Sequence, residues 1–353
     1  MNNFFQLVPK VELHAHLNGS LSPSTMSRLL EMHRKKWPEE CMPKDCDTLI
    51  EKGKTGTFDD PFRMFAIIHT ITDNPEAVRM AARDVIEEFD SDGVRYLELR
   101  STPREVEGRM TKMEYCESIL REILAAQQHG LKIRVKFLLA IDRRKLDCFE
   151  ETVELYKKLK ANPNYHNLLV GLDISGDPRM GDIVSIIGRL RELREEGIKI
   201  AIHLAEIYNA SETKVFLDFK PDRIGHGTCI HPSLGGDPDL WQQLLEAKCP
   251  VEVCLTSNVT CQTVQSFKEH QAGVYYRHDI PVVLCTDDKG VFSCNLSGEY
   301  KIAAESFGWT NMDLYNMSFN ALEHSFMDSA EKEDMRRIWL DWKTDNGHLL
   351  VDS

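Results

Sequence analysis

Short apolar, β-branched segments recur along this chain, separated by longer runs in which apolar residues return every three or four positions. Eight such segments can be read: VELHAHL, VRYLELRSTP, KIRVKFLLAID, LLVGLDISGD, KIAIHLAE, DRIGHG, VEVCLTSN and VVLCTDD. Between them lie charge-rich amphipathic runs such as EAVRMAARDVIEEFDSDG, MEYCESILREILAAQQHG and IVSIIGRLRELREEG, each closing on Gly as helices commonly do. Strands alternating with helices predict a parallel sheet, and eight of them predict an α/β fold of the (β/α)8 TIM-barrel type. The stretch 22–92 is too long for one crossover, so extra helices are expected after the first strand, covering the barrel mouth. A barrel of 353 residues is expected to form one domain, 1–353.

Polar residues gather at the downstream end of each predicted strand: Arg100 to Arg104, Asp142, Ser175 to Asp177, Glu206, His226, Ser257 and Asn258, and Asp287 with Asp288. In such barrels the C-terminal face of the sheet carries the active site, so one mouth would collect all of them. The chain beyond Gly290 reads as helices with no chemistry of its own.

The most informative pair is His14 and His16. On a strand, residues two apart point the same way, so both imidazoles converge on one spot, a geometry that suits a metal. An HxH alone is as readily two histidines in a polar loop. His203 in KIAIHLAE and Asp287 in VVLCTDD supply matching chemistry at two other strand ends, and three His with one Asp form a Zn²⁺ set that leaves a position for water. Such an ion lowers the pKa of its water toward ~7. Attack by that water on carbon, with nitrogen leaving, needs an acid near the metal, and Glu206, three residues after His203, is the best candidate. His226 could orient the attacking hydroxide or accept its proton, or be a buried histidine with ordinary hydrogen bonds. Asp288 should diverge from its neighbour Asp287, one toward metal and one toward substrate.

Charge narrows the partners. The formal net charge is -13 and there is no Lys/Arg-rich run, which argues against nucleic acid or an anionic membrane. The start lacks the basic and apolar regions of a secretory signal, and no apolar run approaches the ~18 residues of a membrane span, so a soluble, cytosolic protein is expected. Ten cysteines occur without a CxxC pair; Cys254 and Cys285 lie in apolar strands and read as reduced core residues.

Taken together, VELHAHLNGS, LDISGDP, HLAE, RIGHG, LTSN and CTDD resemble the adenosine deaminase family of zinc aminohydrolases, in this order along the chain. The finer wording in LELRSTPR, AIDRR and LCTDDKGVF resembles the adenosine deaminase-like branch that acts on N(6)-methyl-AMP. The resemblance implies one Zn²⁺ per chain held by His14, His16, His203 and Asp287, with Glu206 donating a proton to purine N1. It implies that His226 positions the attacking hydroxide and shuttles protons, that Asp288 contacts N7, and that the Gly176 N–H contacts N3. His16 is also counted among the substrate contacts. Ribose and phosphate would lie near Asn18, His69, Ser101, Thr102, Pro103, Arg104 and Asp142, where Arg104 can grip phosphate through paired hydrogen bonds. The implied partner is a purine nucleoside monophosphate, the implied products are IMP and methylamine, and the implied assembly is a monomer. Adenosine or AMP deamination, or a non-catalytic purine-nucleotide sensor on the same fold, are the alternatives. The stretch CIHPSLGGDPDL departs from the family pattern and is expected to be a longer loop near the mouth.

Overall fold

The computed structural model describes residues 4–52 and 60–351. Each predicted apolar segment forms a strand: β1 (Lys10–His16), β2 (Val94–Ser101), β3 (Arg134–Asp142), β4 (Leu169–Ser175), β5 (Lys199–Leu204), β6 (Arg223–His226), β7 (Val251–Val253) and β8 (Val282–Leu284). They pair in chain order as parallel neighbours. Closure runs through an isolated parallel bridge between Ala15 and Asp287. There the His16 N–H donates to the Asp287 carbonyl at 3.0 Å and the Asp287 N–H to the His14 carbonyl at 2.8 Å. The (β/α)8 barrel is therefore the observed fold, and three residues of the predicted metal set, His14, His16 and Asp287, make the hydrogen bonds of its seam.

Helices cover the sheet where the periodicity predicts them, over Pro75–Ser91, Lys112–Gln128 and Ile187–Glu195. The glycines that close them, Gly93, Gly130 and Gly197, all have positive φ, the conformation a side chain would resist. Ahead of the first crossover come Pro23–Lys36, Cys46–Lys52 and Asp60–Ile71, the expected insertion. The last of these packs on the 3-10 turn Asn18–Ser20, which continues β1, and so sits at the mouth. The CIHPSLGGDPDL stretch folds tightly into a 3-10 turn at Pro232–Leu234 and a helix over Pro238–Ala247. No helix among the described residues is long and apolar enough to cross a membrane.

Two strands end sooner than their apolar runs. After β7 the chain turns at Cys254 into a helix, Leu255–Thr260, because the buried Glu299 carboxylate receives the Thr256 N–H at 3.0 Å and also its hydroxyl. The C-terminal helices thus supply a structural hydrogen-bond acceptor beneath the mouth. The barrel interior is ionic rather than purely apolar: Glu98, Arg100, Asp173, Arg223 and Glu252 are all fully buried. Its opposite end is closed by Phe326, over whose ring the Arg223 guanidinium lies at 3.6 Å.

Candidate metal centre and active site

His14, His16, His203 and Asp287 converge at the mouth, with one ligand atom from each lying within 4.8 Å of all the others. His16 Nε2 is 3.2 Å from His203 Nε2. Asp287 Oδ1 is 3.3 Å from His14 Nε2 and 3.4 Å from His16 Nε2. Four N and O ligands arranged tetrahedrally about a small divalent cation stand about 3.3 Å apart, so the donor set has the right span. The His14 Nε2 atom is buried with no hydrogen-bond partner, which fits a metal-ligand role.

Backbone geometry makes this convergence possible. Between Glu12 and Ala15, β1 advances three residues while β2 advances two, a bulge that re-aims the HxH pair. Ala205, His226 and Asp287 all have φ near +60°, at 55°, 61° and 62°, a strained conformation outside glycine. Asp287 lies three residues past the end of β8, where its carboxylate meets His14 and His16 while that of Asp288 packs against Gly19.

Beneath the ligands lies a set of carboxylates that aim them. Glu252 Oε2 is 2.7 Å from His14 Nδ1, and Asp173 Oδ1 is 3.2 Å from His203 Nδ1. A ring whose Nδ1–H faces a carboxylate presents its Nε2 lone pair to the metal position. One guanidinium ties both carboxylates: Arg100 reaches Asp173 at 2.8 Å and Glu252 at 2.9 Å. Arg223 joins Glu252 to Glu98, each at 2.5 Å. Ser257 donates to Asp287 Oδ2 at 2.7 Å, leaving Oδ1 for the cluster. Against burial and the Arg100 charge, Asp287 and Glu252 hold His14 up to about 9, whereas burial drives His16 down to about 3. Burial opposes charge on Asp287, yet His14, His226 and His16 keep it well below the usual carboxylate range.

Of these underlying residues only Arg100 and Ser257 were named from the sequence, as polar groups at strand ends, though a signal existed for the others. Glu252 in VEV, Asp173 in LDI and Glu98 in LEL are lone charges within apolar strands, a placement affordable only for paired groups.

Glu206, His226 and Asp288 ring the same spot. Glu206 Oε2 is 3.7 Å from His226 Nε2, and burial, reinforced by the Asp287 charge, pushes the Glu206 carboxyl up to about 7. Burial takes His226 well below its usual range, leaving the ring neutral. Burial and the neighbouring Asp287 raise Asp288 well above the carboxylate range, and its Oδ1 is buried without a partner. Gly176 has φ +108°, and a Cβ there would stand 2.5 Å from Asp142 Oδ1.

The outer residues also come together, with several of their groups already engaged. Asn18 Nδ2 donates to the Tyr115 hydroxyl at 3.3 Å, and Ser101 shares a 2.6 Å hydrogen bond with the same hydroxyl. Arg104 donates to the carbonyls of His69 and Thr72, at 2.7 and 2.5 Å. It thereby fastens the Ser101–Arg104 loop to the end of the helix bearing His69. His69 and Arg104 line one open surface pocket. Thr102 is exposed and Pro103 buried. The Asp142 carboxylate pairs with Arg144 at 2.6 Å.

Donors of this kind, gathered beside a buried carboxyl whose pKa is raised, at the C-terminal mouth of a closed parallel barrel, define a hydrolytic enzyme of the barrel class. The chain belongs to the adenosine deaminase family, whose model, described as adenosine deaminase, matches residues 9–339. It is a hydrolytic deaminase. A human protein named N6-methyl-AMP deaminase is 42% identical over 340 residues, covering 96% of this chain and 94% of its own. The apo structure of the N6-methyl-AMP deaminase from Arabidopsis thaliana superposes with a TM-score of 0.87 at 31% identity, covering 98% of this chain and 100% of that one. The Arabidopsis ADAL protein complexed with IMP gives 0.86 at 31% identity, over 97% of this chain and 99% of that one.

Proposed function

We propose that this protein is a Zn²⁺-dependent deaminase of purine nucleoside monophosphates, converting N(6)-methyl-AMP and water to IMP and methylamine. The observation that carries the proposal is the meeting of His14, His16, His203 and Asp287 beside a Glu206 carboxyl that holds its proton near neutrality. Relatives named for this activity favour the methylated nucleotide, and a neighbour solved with IMP favours a nucleoside monophosphate over a nucleoside.

The chain's own groups divide the work. The three imidazoles and Asp287 hold the metal, with Glu252, Asp173 and Ser257 keeping their lone pairs aimed. Bound there, Zn²⁺ supplies a water acidified toward ~7, a nucleophile at physiological pH. Glu206 delivers its proton to purine N1, which makes C6 more electrophilic, and Glu206 carries protons onward to the leaving amine. His226 faces the attacking oxygen. Asp288, kept protonated by burial, donates from its free carboxyl to N7. Gly176 brings its N–H to N3 where a side chain would strike Asp142. Asn18, His69, Ser101, Thr102, Pro103, Arg104 and Asp142 receive ribose and phosphate, with Arg104 exchanging a carbonyl for phosphate oxygen. One such site per chain, in a cytosolic monomer, completes the reading.

Turnover of N(6)-methyl-AMP, its unphosphorylated nucleoside, AMP and adenosine by Zn²⁺-loaded protein tests it. Rapid IMP formation from the methylated nucleotide, with little product from the nucleosides, is expected. A preference for adenosine would contradict the nucleotide assignment.

A further inference from the structure

Three side chains behind His226, those of Asn258, His270 and Gln271, form a hydrogen-bonded chain whose direction is dictated by backbone groups. The Ala272 N–H can only donate, and it donates to His270 Nδ1 at 3.2 Å. Burial holds His270 neutral, at about 3, so its one ring proton must sit on Nε2, which lies 3.0 Å from Asn258 Oδ1. Independently, the His226 carbonyl can only accept, so the Gln271 atom 2.9 Å away is the amide NH₂. Its second hydrogen faces Asn258 Oδ1 at 3.3 Å. Both routes assign the same end of Asn258 as its carbonyl. The other end, Nδ2, therefore donates to His226 Nδ1 at 3.1 Å. Nδ1 thus carries no proton, and a neutral imidazole must then bear its hydrogen on Nε2, the nitrogen facing Glu206.

We propose that Asn258, His270 and Gln271 are positioning residues that fix His226 as its Nε2–H tautomer, so that His226 donates a hydrogen bond to the attacking oxygen and does not act as its base. A neutral ring with hydrogen on Nε2 has no lone pair there to take a proton. The arrangement rests on the deaminase reading above for its catalytic meaning, and on the hydrogen bonds alone for the tautomer. Asn258, His270, Gln271 and His226 are all at most 2% exposed, so solvent does not offer the ring a competing partner.

The test is a long-range ¹H–¹⁵N spectrum of Zn²⁺-loaded protein with ¹⁵N-labelled histidine rings, the His226 signals being assigned by their loss in His226→Asn. Hydrogen on Nε2 is expected, and hydrogen on Nδ1 would overturn the proposal. Asn258→Asp keeps both incoming hydrogen bonds but can only accept from His226, so the tautomer should reverse. Its kcat should then fall about 100-fold, with KM within about threefold and zinc content unchanged. Wild-type kcat in that variant would overturn the proposal. A wild-type protein inactive on every C6-aminopurine would remove the deaminase reading, while the ring spectrum would still decide the tautomer.

Discussion

Gly19 is packed against the Asp288 carboxyl so closely that a Cβ at position 19 would overlap Oδ1 and Cγ of that side chain. The contact is held from both sides, since the N–H groups of Gly290 and Val291 donate to the Gly19 carbonyl at 2.9 and 3.0 Å. The turn following the HxH strand is thereby the seat of the acid following the metal-binding aspartate. Gly19→Ala should displace Asp288 while sparing the four metal ligands. Steady-state kinetics on N(6)-methyl-AMP should show kcat/KM reduced by about 100-fold, as for an ~1 Å misplacement of a reacting group, with full zinc content. An unchanged kcat/KM would show that Asp288 does not need this seat.

Arg100 is the single cation joining the carboxylates behind His14 and His203. Replacing it with Leu leaves buried Asp173 with only the His203 ring beside it, a loss of about 3–5 kcal/mol in denaturant unfolding of the metal-free protein. The two imidazoles also lose their orientation, so zinc affinity measured by chelator competition should fall about 10- to 100-fold. Lost stability with wild-type affinity would separate Arg100 from the metal site.

Much of this was readable along the chain because strand alternation is strict. His14 and His16 share a face, and the polar ends of successive strands share a mouth, whatever the detailed packing. The ionic interior was not readable in the same way. Glu252 and Arg100 are 152 positions apart, and only barrel closure makes them partners. Nor does any local signal in the SFKEHQAG segment announce that His270 and Gln271 orient Asn258. The left-handed backbone at His226 and Asp287, residue types that visit it more readily than most, is likewise imposed by the surrounding fold.

Lys10 opens β1 from a fully buried position, donating to the carbonyls of Phe5 and Val8 at 2.8 and 3.0 Å. Burial lowers its pKa to about 8, against the attraction of Asp92. Above that pH the folded chain has released a proton that the unfolded chain keeps until about 10.5, so stability rises with pH across this window. Relative to Lys10→Met, wild-type unfolding free energy should climb by about 3 kcal/mol between pH 8 and 10.5. Parallel pH profiles for the two proteins would place the lysine's titration elsewhere.

Burial, reinforced by Asp287, raises the Glu206 carboxyl to about 7, without a side-chain hydrogen-bond partner that a substitution would orphan. Glu206→Gln preserves shape and removes the proton that can be transferred. Its kcat should drop by at least about 100-fold while zinc content and thermal stability stay near wild type. Retained kcat would assign the acid to another group.

The central claim is that water replaces methylamine at purine C6, and isotope transfer tests it most directly. Zn²⁺-loaded protein turning over N(6)-methyl-AMP in ¹⁸O-water should yield IMP carrying one ¹⁸O at C6 and an equal amount of methylamine, as read by mass spectrometry. Intact substrate after prolonged incubation with zinc fully bound, or IMP lacking the label, would contradict it.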